Sequence, residues 1–372
     1  MLKQLLSLPI EKKLGQLFFI GLSGDEINEH SVSLLREISP GGVCLFSRNI
    51  KSTNQVIKFI SGIRENLAIE PILSLDQEGG VVDRLRRILT PMPSVSLLKN
   101  TTNAKKLAKL TAEIVRILGF NMNFAPVVDI LDESREKFSN GLYARAFGKT
   151  KEQVIELAGA YLKTLQAGGC FGCLKHFPGL GASEVDSHES LPVINLSENE
   201  FYDNDLLPFR ELIKTGDVRA IMVAHAVFPN INLQETDSSG KLLPSSLSYN
   251  FVTKLVRERM TFDGLVITDD LEMGAIVKNY SISKACKAAI LAGGDMLAIC
   301  ADADAVQQGY YGVLEAVKNK EISESRIDES LTRIAHLKSL MLRPLPFDAV
   351  RLQILSEEVA QLNKKLDQPY GG

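Results

Sequence analysis

The chain has 372 residues, 45% of them hydrophobic, which is enough to bury one barrel-sized core or two medium ones. Lys and Arg total 42 against 45 Asp and Glu, with the signs interspersed, so no footprint for nucleic acid or anionic lipid stands out and a small neutral partner fits better. The N-terminus breaks its apolar run at Pro9, Glu11, Lys12 and Lys13 without a small-residue cleavage site, and no uncharged apolar run approaches ~18 residues, so neither export nor membrane spanning is indicated.

Short apolar or β-branched runs recur at 14–22, 42–46, 71–76, 122–130, 170–177, 219–225, 264–270 and 295–300, giving eight strand candidates. Helical periodicity fills much of the space between them, at 53–66, 104–118, 151–167, 198–214, 250–260 and 283–291. Two helix starts carry capping-box pairs, Thr150 with Gln153 and Ser197 with Glu200. Alternation of this kind predicts an α/β protein with a parallel sheet, closed as a (β/α)₈ TIM barrel; a doubly wound open sheet gives a similar pattern.

No Pro/Gly/Ser-rich linker or fixed-period repeat divides the chain, so a single domain is expected. Two more helical segments follow the eighth strand, at 305–318 and 323–341. After Arg343, Pro344, Leu345 and Pro346 comes an amphipathic stretch at 349–366, with Val350, Ile354, Leu355, Val359, Leu362 and Leu366 roughly on one face. The division expected is a barrel over 1–342 and a C-terminal helical extension over 343–372 that packs on it; a dimer contact is the alternative to this packing, and a monomer is the expected state. The five cysteines, Cys44, Cys170, Cys173, Cys286 and Cys300, are an odd count in apolar segments, which fits buried free thiols in the reducing cytoplasm. Cys170 and Cys173 form a CxxC, but no second Cys or His pair has zinc spacing.

In such a barrel the reactive groups sit at the C-terminal ends of the strands. Apolar runs here end in Asp76, in Asp129, in Lys175 and His176, in His225, and in Asp269 and Asp270. A polar strand end is common, but five of them with ionisable groups suggest a shared pocket. After Asp76 the chain reads through Glu78, Gly79 and Gly80 to Arg84, where the glycines let backbone approach a ligand or simply make a turn. The segment 175–188 holds Gly179, Gly181, Ala182 and Ser183, a mobile loop by composition, and ends in Asp186, Ser187 and His188. Asp and His two apart can hydrogen-bond, which fixes the imidazole tautomer and makes a general acid on a loop; an incidental surface histidine is the competing reading. At the seventh strand end, alternation predicts that only one of Asp269 and Asp270 faces the pocket. A carboxylate there suits attack on an anomeric carbon, whose oxocarbenium-like transition state needs negative charge close by.

At these residues the chain resembles the family-three glycoside hydrolases, and within them the bacterial β-N-acetylglucosaminidases of the NagZ type. The matching stretches are SLDQEGG at 74–80, NFAPVVDI at 123–130, RAFG at 145–148, KHFPG at 175–179, DSH at 186–188, VAHAVFP at 223–229, PSSLS at 244–248 and ITDDLEMGAI at 267–276. The resemblance implies the (β/α)₈ fold, Asp269 as nucleophile, and His188 as acid/base oriented by Asp186. It further implies that Asp76, Arg84, Arg145, Lys175 and His176 bind the non-reducing N-acetylglucosamine, with no metal or organic cofactor. The substrate it implies is a muropeptide, N-acetylglucosamine linked β-1,4 to anhydro-N-acetylmuramic acid, in cytoplasmic peptidoglycan recycling. Two positions depart from the usual pattern: Leu180 stands where relatives carry His, and Val81 where they carry Arg. Both bear on loop closure and affinity rather than on a proposed catalytic group.

Other readings remain at this level. A metal-dependent amidohydrolase would also use strand-end groups, here His176, His225 and Asp269, but lacks an early closely spaced His pair, His30 being isolated. A non-catalytic sugar-binding protein would bind glycan without turnover. Among glycosidases, a β-glucosidase or β-xylosidase is the other possibility.

Overall fold

The computed structural model describes residues 1–138 and 140–367, so residues 368–372 of the expected extension lie outside the described residues. The eight apolar runs become eight parallel strands: β1 (Phe18–Gly21), β2 (Gly42–Cys44), β3 (Ile72–Leu75), β4 (Met122–Asn123), β5 (Leu174–Phe177), β6 (Ala220–Val223), β7 (Leu265–Asp270) and β8 (Met296–Ile299). All are buried except the last two residues of β7, which are partly exposed. Burial of both strand faces is what a parallel sheet wrapped by helices requires.

Closure falls at β5. Phe171–Gly172 pairs with β4, placing Met122 beside Phe171, whereas Leu174–Phe177 pairs with β6. One strand thus serves two neighbours through pieces separated by Cys173, and β1 pairs with β8 on the far side, Phe18 beside Leu297. The sheet closes on itself as a (β/α)₈ barrel, and the open doubly wound alternative is set aside.

Each strand is followed by one covering helix: Glu29–Ile38, Thr53–Glu65, Thr101–Ile117, Lys151–Ala167, Leu207–Lys214, the π-helical Asn250–Arg259, Ile282–Ala292 and Ala303–Lys318. Ser197 and Glu200 form the expected reciprocal cap. Thr150 accepts the Gln153 amide, but the Gln153 side chain reaches back to the Lys149 amide, one residue further than a capping box requires.

Three boundaries differ from expectation. The run at 14–22 splits into a helix, Ile10–Gly15, and then β1, because the buried Leu14 and Leu17 stand one helical turn apart. The Lys12 ammonium ties this helix to the carbonyls of Arg36 and Glu37. The run at 122–130 is strand only at Met122–Asn123, since Pro126 has no amide to give the ladder. In the last helix, Ala349–Lys365, the buried face is Leu352, Leu355, Val359 and Leu362, while Val350 and Ile354 are exposed. That helix packs on Thr101–Ile117, where Arg351 makes a two-pronged pair with Glu113 at 2.6 and 2.8 Å. Among the described residues no helix is long and apolar enough to cross a membrane. All five cysteines are free and buried, including the CxxC pair.

Candidate active site

The C-terminal ends of the strands and the loops beyond them enclose one cavity. It is bordered by all eight residues expected there: Asp76, Arg84, Arg145, Lys175, His176, Asp186, His188 and Asp269. Asp76 leaves β3, Lys175 and His176 lie within β5, and Asp269 lies near the end of β7. Arg145 arrives on the loop after β4, and Asp186 and His188 on the loop after β5.

After Asp76 the chain makes a small antiparallel hairpin, Gln77–Gly79 with Val82–Asp83. Gly79 and Gly80 turn it with φ of 96° and 61°, and a Cβ on Gly79 would stand 2.2 Å from the Pro93 carbonyl oxygen. The glycines therefore serve the turn and its packing, not a ligand approach. The buried Asp83 staples the hairpin by accepting the amides of Leu85 and Met92 and the Gln77 side-chain amide.

The hairpin holds a wall of paired ions. Asp76 meets Lys175 at 2.7 Å and Arg84 at 3.2 Å. Glu78 grips Arg145 through two bonds of 2.8 and 3.0 Å and also meets Lys175 at 2.6 Å. Burial would raise the pKa of both acids, but the cations outweigh it: Lys175 and Arg84 hold Asp76 far below the carboxylate range, and Arg145 and Lys175 hold Glu78 at about 2. Both acids are therefore charged at neutral pH.

His176 is fixed from two sides. Its Nδ1 lies 2.7 Å from Asp129, and its Nε2 lies 3.3 Å from an Arg145 nitrogen, which can only donate. Nδ1 then donates to Asp129 in the neutral ring. Asp129 also accepts the amides of His176 and Leu180, seating the departing residue Leu180 as a buried part of the cavity wall. The other departure, Val81, is exposed at the hairpin turn. In the segment expected to be mobile, Ser183 is buried and Asn140 donates to the carbonyls of Gly181 and Ser183, whereas Glu184, Val185 and His188 are exposed.

Both Asp269 and Asp270 border the cavity. The pairing of β7 with β8 shifts register between Ile267 and Asp270, so the pleat does not continue evenly through the pair. Their surroundings differ sharply. Burial works against charge on Asp269, but His176, His225, the Asp270 amide and Lys175 together lower its pKa below the usual value and keep it charged. Asp270 is pushed up to about 7 by burial, and the charges of Glu272 and Asp269 raise it further against the amides of Glu272 and Cys300. His225 has its Nδ1 2.7 Å from the Ser246 hydroxyl and its Nε2 3.1 Å from the Asp270 carbonyl. Both ring nitrogens are occupied, which leaves none for the metal that an amidohydrolase would place there. Among the described residues no three His, Cys, Asp or Glu side chains converge as a metal site.

His188 points its Nδ1 at Asp186, 2.7 Å away, and the same carboxylate oxygen accepts the His188 amide at 2.9 Å. This frees Nε2 for a ligand, and the imidazole is 71% exposed. Two groups in the site were not assigned from sequence. Glu78 stands two residues from Asp76, a spacing that puts both on one side of an extended chain and could have revealed it. Asp129 was noted only as a strand end; its partner His176 is 47 residues away, and nothing local signals the contact.

A cavity walled by paired ions suits a hydroxyl-rich ligand, and a buried carboxylate with a separate proton carrier is the equipment of glycoside cleavage. With the closed barrel, these features define a glycosidase. The chain belongs to glycosyl hydrolase family 3, whose N-terminal domain matches residues 9–337. It is 35% identical over 290 residues to a Beta-hexosaminidase of Pseudomonas aeruginosa, covering 76% of this chain and 82% of that one. A fungal multi-domain family 3 β-N-acetylglucosaminidase superposes with a TM-score of 0.88 and 28% identity over 96% of this chain, which spans 43% of the fungal one. A family 3 β-N-acetylglucosaminidase from a Paenibacillus species gives 0.83 and 32% identity, over 96% of this chain and 69% of that one.

Proposed function

We propose that this chain is a retaining exo-β-N-acetylglucosaminidase that removes a non-reducing N-acetylglucosamine from muropeptides in cytoplasmic peptidoglycan recycling. The observation that carries the reading is one cavity shared by the charged, partly exposed Asp269 and the Asp186–His188 pair, whose free nitrogen faces solvent. Asp269 attacks the anomeric carbon and forms a covalent glycosyl-enzyme while His188 protonates the departing oxygen. His188 then takes a proton from water, which releases the sugar with its configuration kept. Asp186 holds the ring through both steps. Asp76, Arg84, Arg145, Lys175 and His176 hold the sugar, with hydroxyls bridging between charges of opposite sign. Residues 1–342 act as the catalytic barrel and 343–372 as a C-terminal extension, whose helix Ala349–Lys365 packs on it, in a monomer.

The relatives' names and the DSH and TDDLEM stretches support N-acetylglucosamine over glucose or xylose. The test compares a nitrophenyl β-N-acetylglucosaminide with the matching β-glucoside, each with and without a strong chelator. The first should turn over, the second should not, and the chelator should change neither. Metal-dependent turnover would favour the amidohydrolase, and binding without turnover the sugar-binding protein.

A further inference from the structure

The loop that carries His188 is tied to the segment that follows Asp269. The Gly274 amide donates to the His188 carbonyl at 3.0 Å, and the Ala275 amide donates to the Ser187 carbonyl at 3.1 Å. The Lys278 ammonium donates to the Glu189 carbonyl. Three successive carbonyls of the acid-bearing loop are therefore held by residues five to nine positions beyond Asp269 in the chain. On its inner side the loop closes on itself, with the amides of Glu189 and Ser190 both donating to the Asp186 carbonyl.

Position 274 has no room for a side chain. A Cβ there would lie 2.6 Å from the carbonyl oxygens of both His188 and Glu189, and both obstacles are backbone. Glycine lets the two segments approach to hydrogen-bonding distance, and any other residue must push them apart.

We propose that Gly274 is a positioning residue, whose backbone amide docks the His188 loop and so fixes the proton carrier relative to the nucleophile. The proposal rests on the reading of His188 as acid/base and Asp269 as nucleophile. The imidazole is exposed and its side chain is restrained by Asp186 alone, so its place depends on where the loop backbone sits. Displacement of about 1 Å at a reacting group is enough to lose roughly a hundredfold in rate. The loss should fall on protonation of the leaving group, because Asp269 is held by β7 and not by this loop.

The experiment measures kcat/KM on a series of aryl β-N-acetylglucosaminides of rising leaving-group pKa and on a disaccharide. The variants are Gly274→Ala, Lys278→Met and His188→Ala, each checked for folding by melting temperature. Gly274→Ala should lose roughly 10- to 100-fold on the disaccharide and the poorest aryl leaving groups, and under about 3-fold on the dinitrophenyl glycoside. Its dependence on leaving-group pKa should steepen toward that of His188→Ala. Lys278→Met removes one exposed contact, keeps the backbone, and should steepen the same dependence by a few-fold. Equal losses across the series for both variants, or none, would overturn the docking role if His188→Ala still shows the steep dependence. A flat dependence for His188→Ala would instead overturn the acid/base reading itself. If Gly274→Ala does not fold, Lys278→Met alone decides between these outcomes.

Discussion

Replacing Glu78 with Gln removes one charge from the ion-paired wall while keeping shape and most hydrogen-bond capacity. Glu78 is 3% exposed and is shared by Arg145 and Lys175, so the variant leaves two buried cations with Asp76 as their nearest remaining anion. A carboxyl that ionises near 2 rather than 4.5 is held in its charged form by roughly 3 kcal/mol, at about 1.4 kcal/mol per pH unit. That agrees with the roughly 3–5 kcal/mol expected when one partner of a buried pair is lost. With ~2–4 °C per kcal/mol for a large domain, the melting temperature should fall by roughly 6–12 °C at pH 7. The pH dependence has a fixed sign. Because the folded value is depressed, the contribution is whole above about pH 4.5 and is lost as pH falls toward 2. At pH 3.5 roughly 1 kcal/mol of it should already be gone, by the same arithmetic. Urea unfolding of wild type and variant at both pH values measures the gap directly. A gap under about 1 kcal/mol at pH 7, or one that widens toward pH 3.5, would refute the account of the wall.

Asp269→Asn should reduce kcat by roughly 10³-fold or more while Asp270→Asn stays far more active, and the reverse ranking in folded proteins would exchange their roles. Proton NMR of early hydrolysis should detect the β-anomer first; an initial α-anomer would mean direct attack by water and inversion. Asp270 offers a second stability test, of opposite sign to Glu78. Its raised pKa means a contribution that is whole below about 3.8 and lost as pH rises through about 7, so Asp270→Asn should gain on wild type between pH 5 and 8. A constant difference in melting temperature over that range would contradict the strained carboxyl.

The strands were legible because each carries a short apolar run, and their C-terminal ends were legible because the runs stop at ionisable residues such as Asp76, Lys175 and Asp269. Closure of the barrel was expected from the count of strands, but only the bond between β1 and β8, joining Phe18 to Leu297, separates it from an open doubly wound sheet. The helix Glu29–Ile38 has Asn28 and Ser31 as a reciprocal cap and buries Leu34, Leu35 and Ile38, with Glu29, His30 and Arg36 on its exposed side. The site was readable in its members and not in its contacts. Asp129 with His176, and Gly274 with His188, are pairs brought together only by the barrel, and the register shift beside Asp269 and Asp270 is invisible in sequence.

The ion-paired wall also bears on selectivity. Asp76, Glu78, Arg84, Arg145 and Lys175 already pair with one another, with only the buried Arg84 Nε lacking a partner, so a sugar hydroxyl arriving there mostly trades into an existing arrangement instead of rescuing orphaned charges. A site with unpaired polar groups punishes a ligand that lacks one hydroxyl, because a buried charge is then stranded. Here the stranded charge would still have its neighbour. Under the proposed reading, the wall sets a stiff frame that tolerates deoxygenated sugars at modest loss, and the burden of telling one sugar from another shifts to the apolar lining, where Phe124, Met222 and Leu180 leave space for some substituents and not for others.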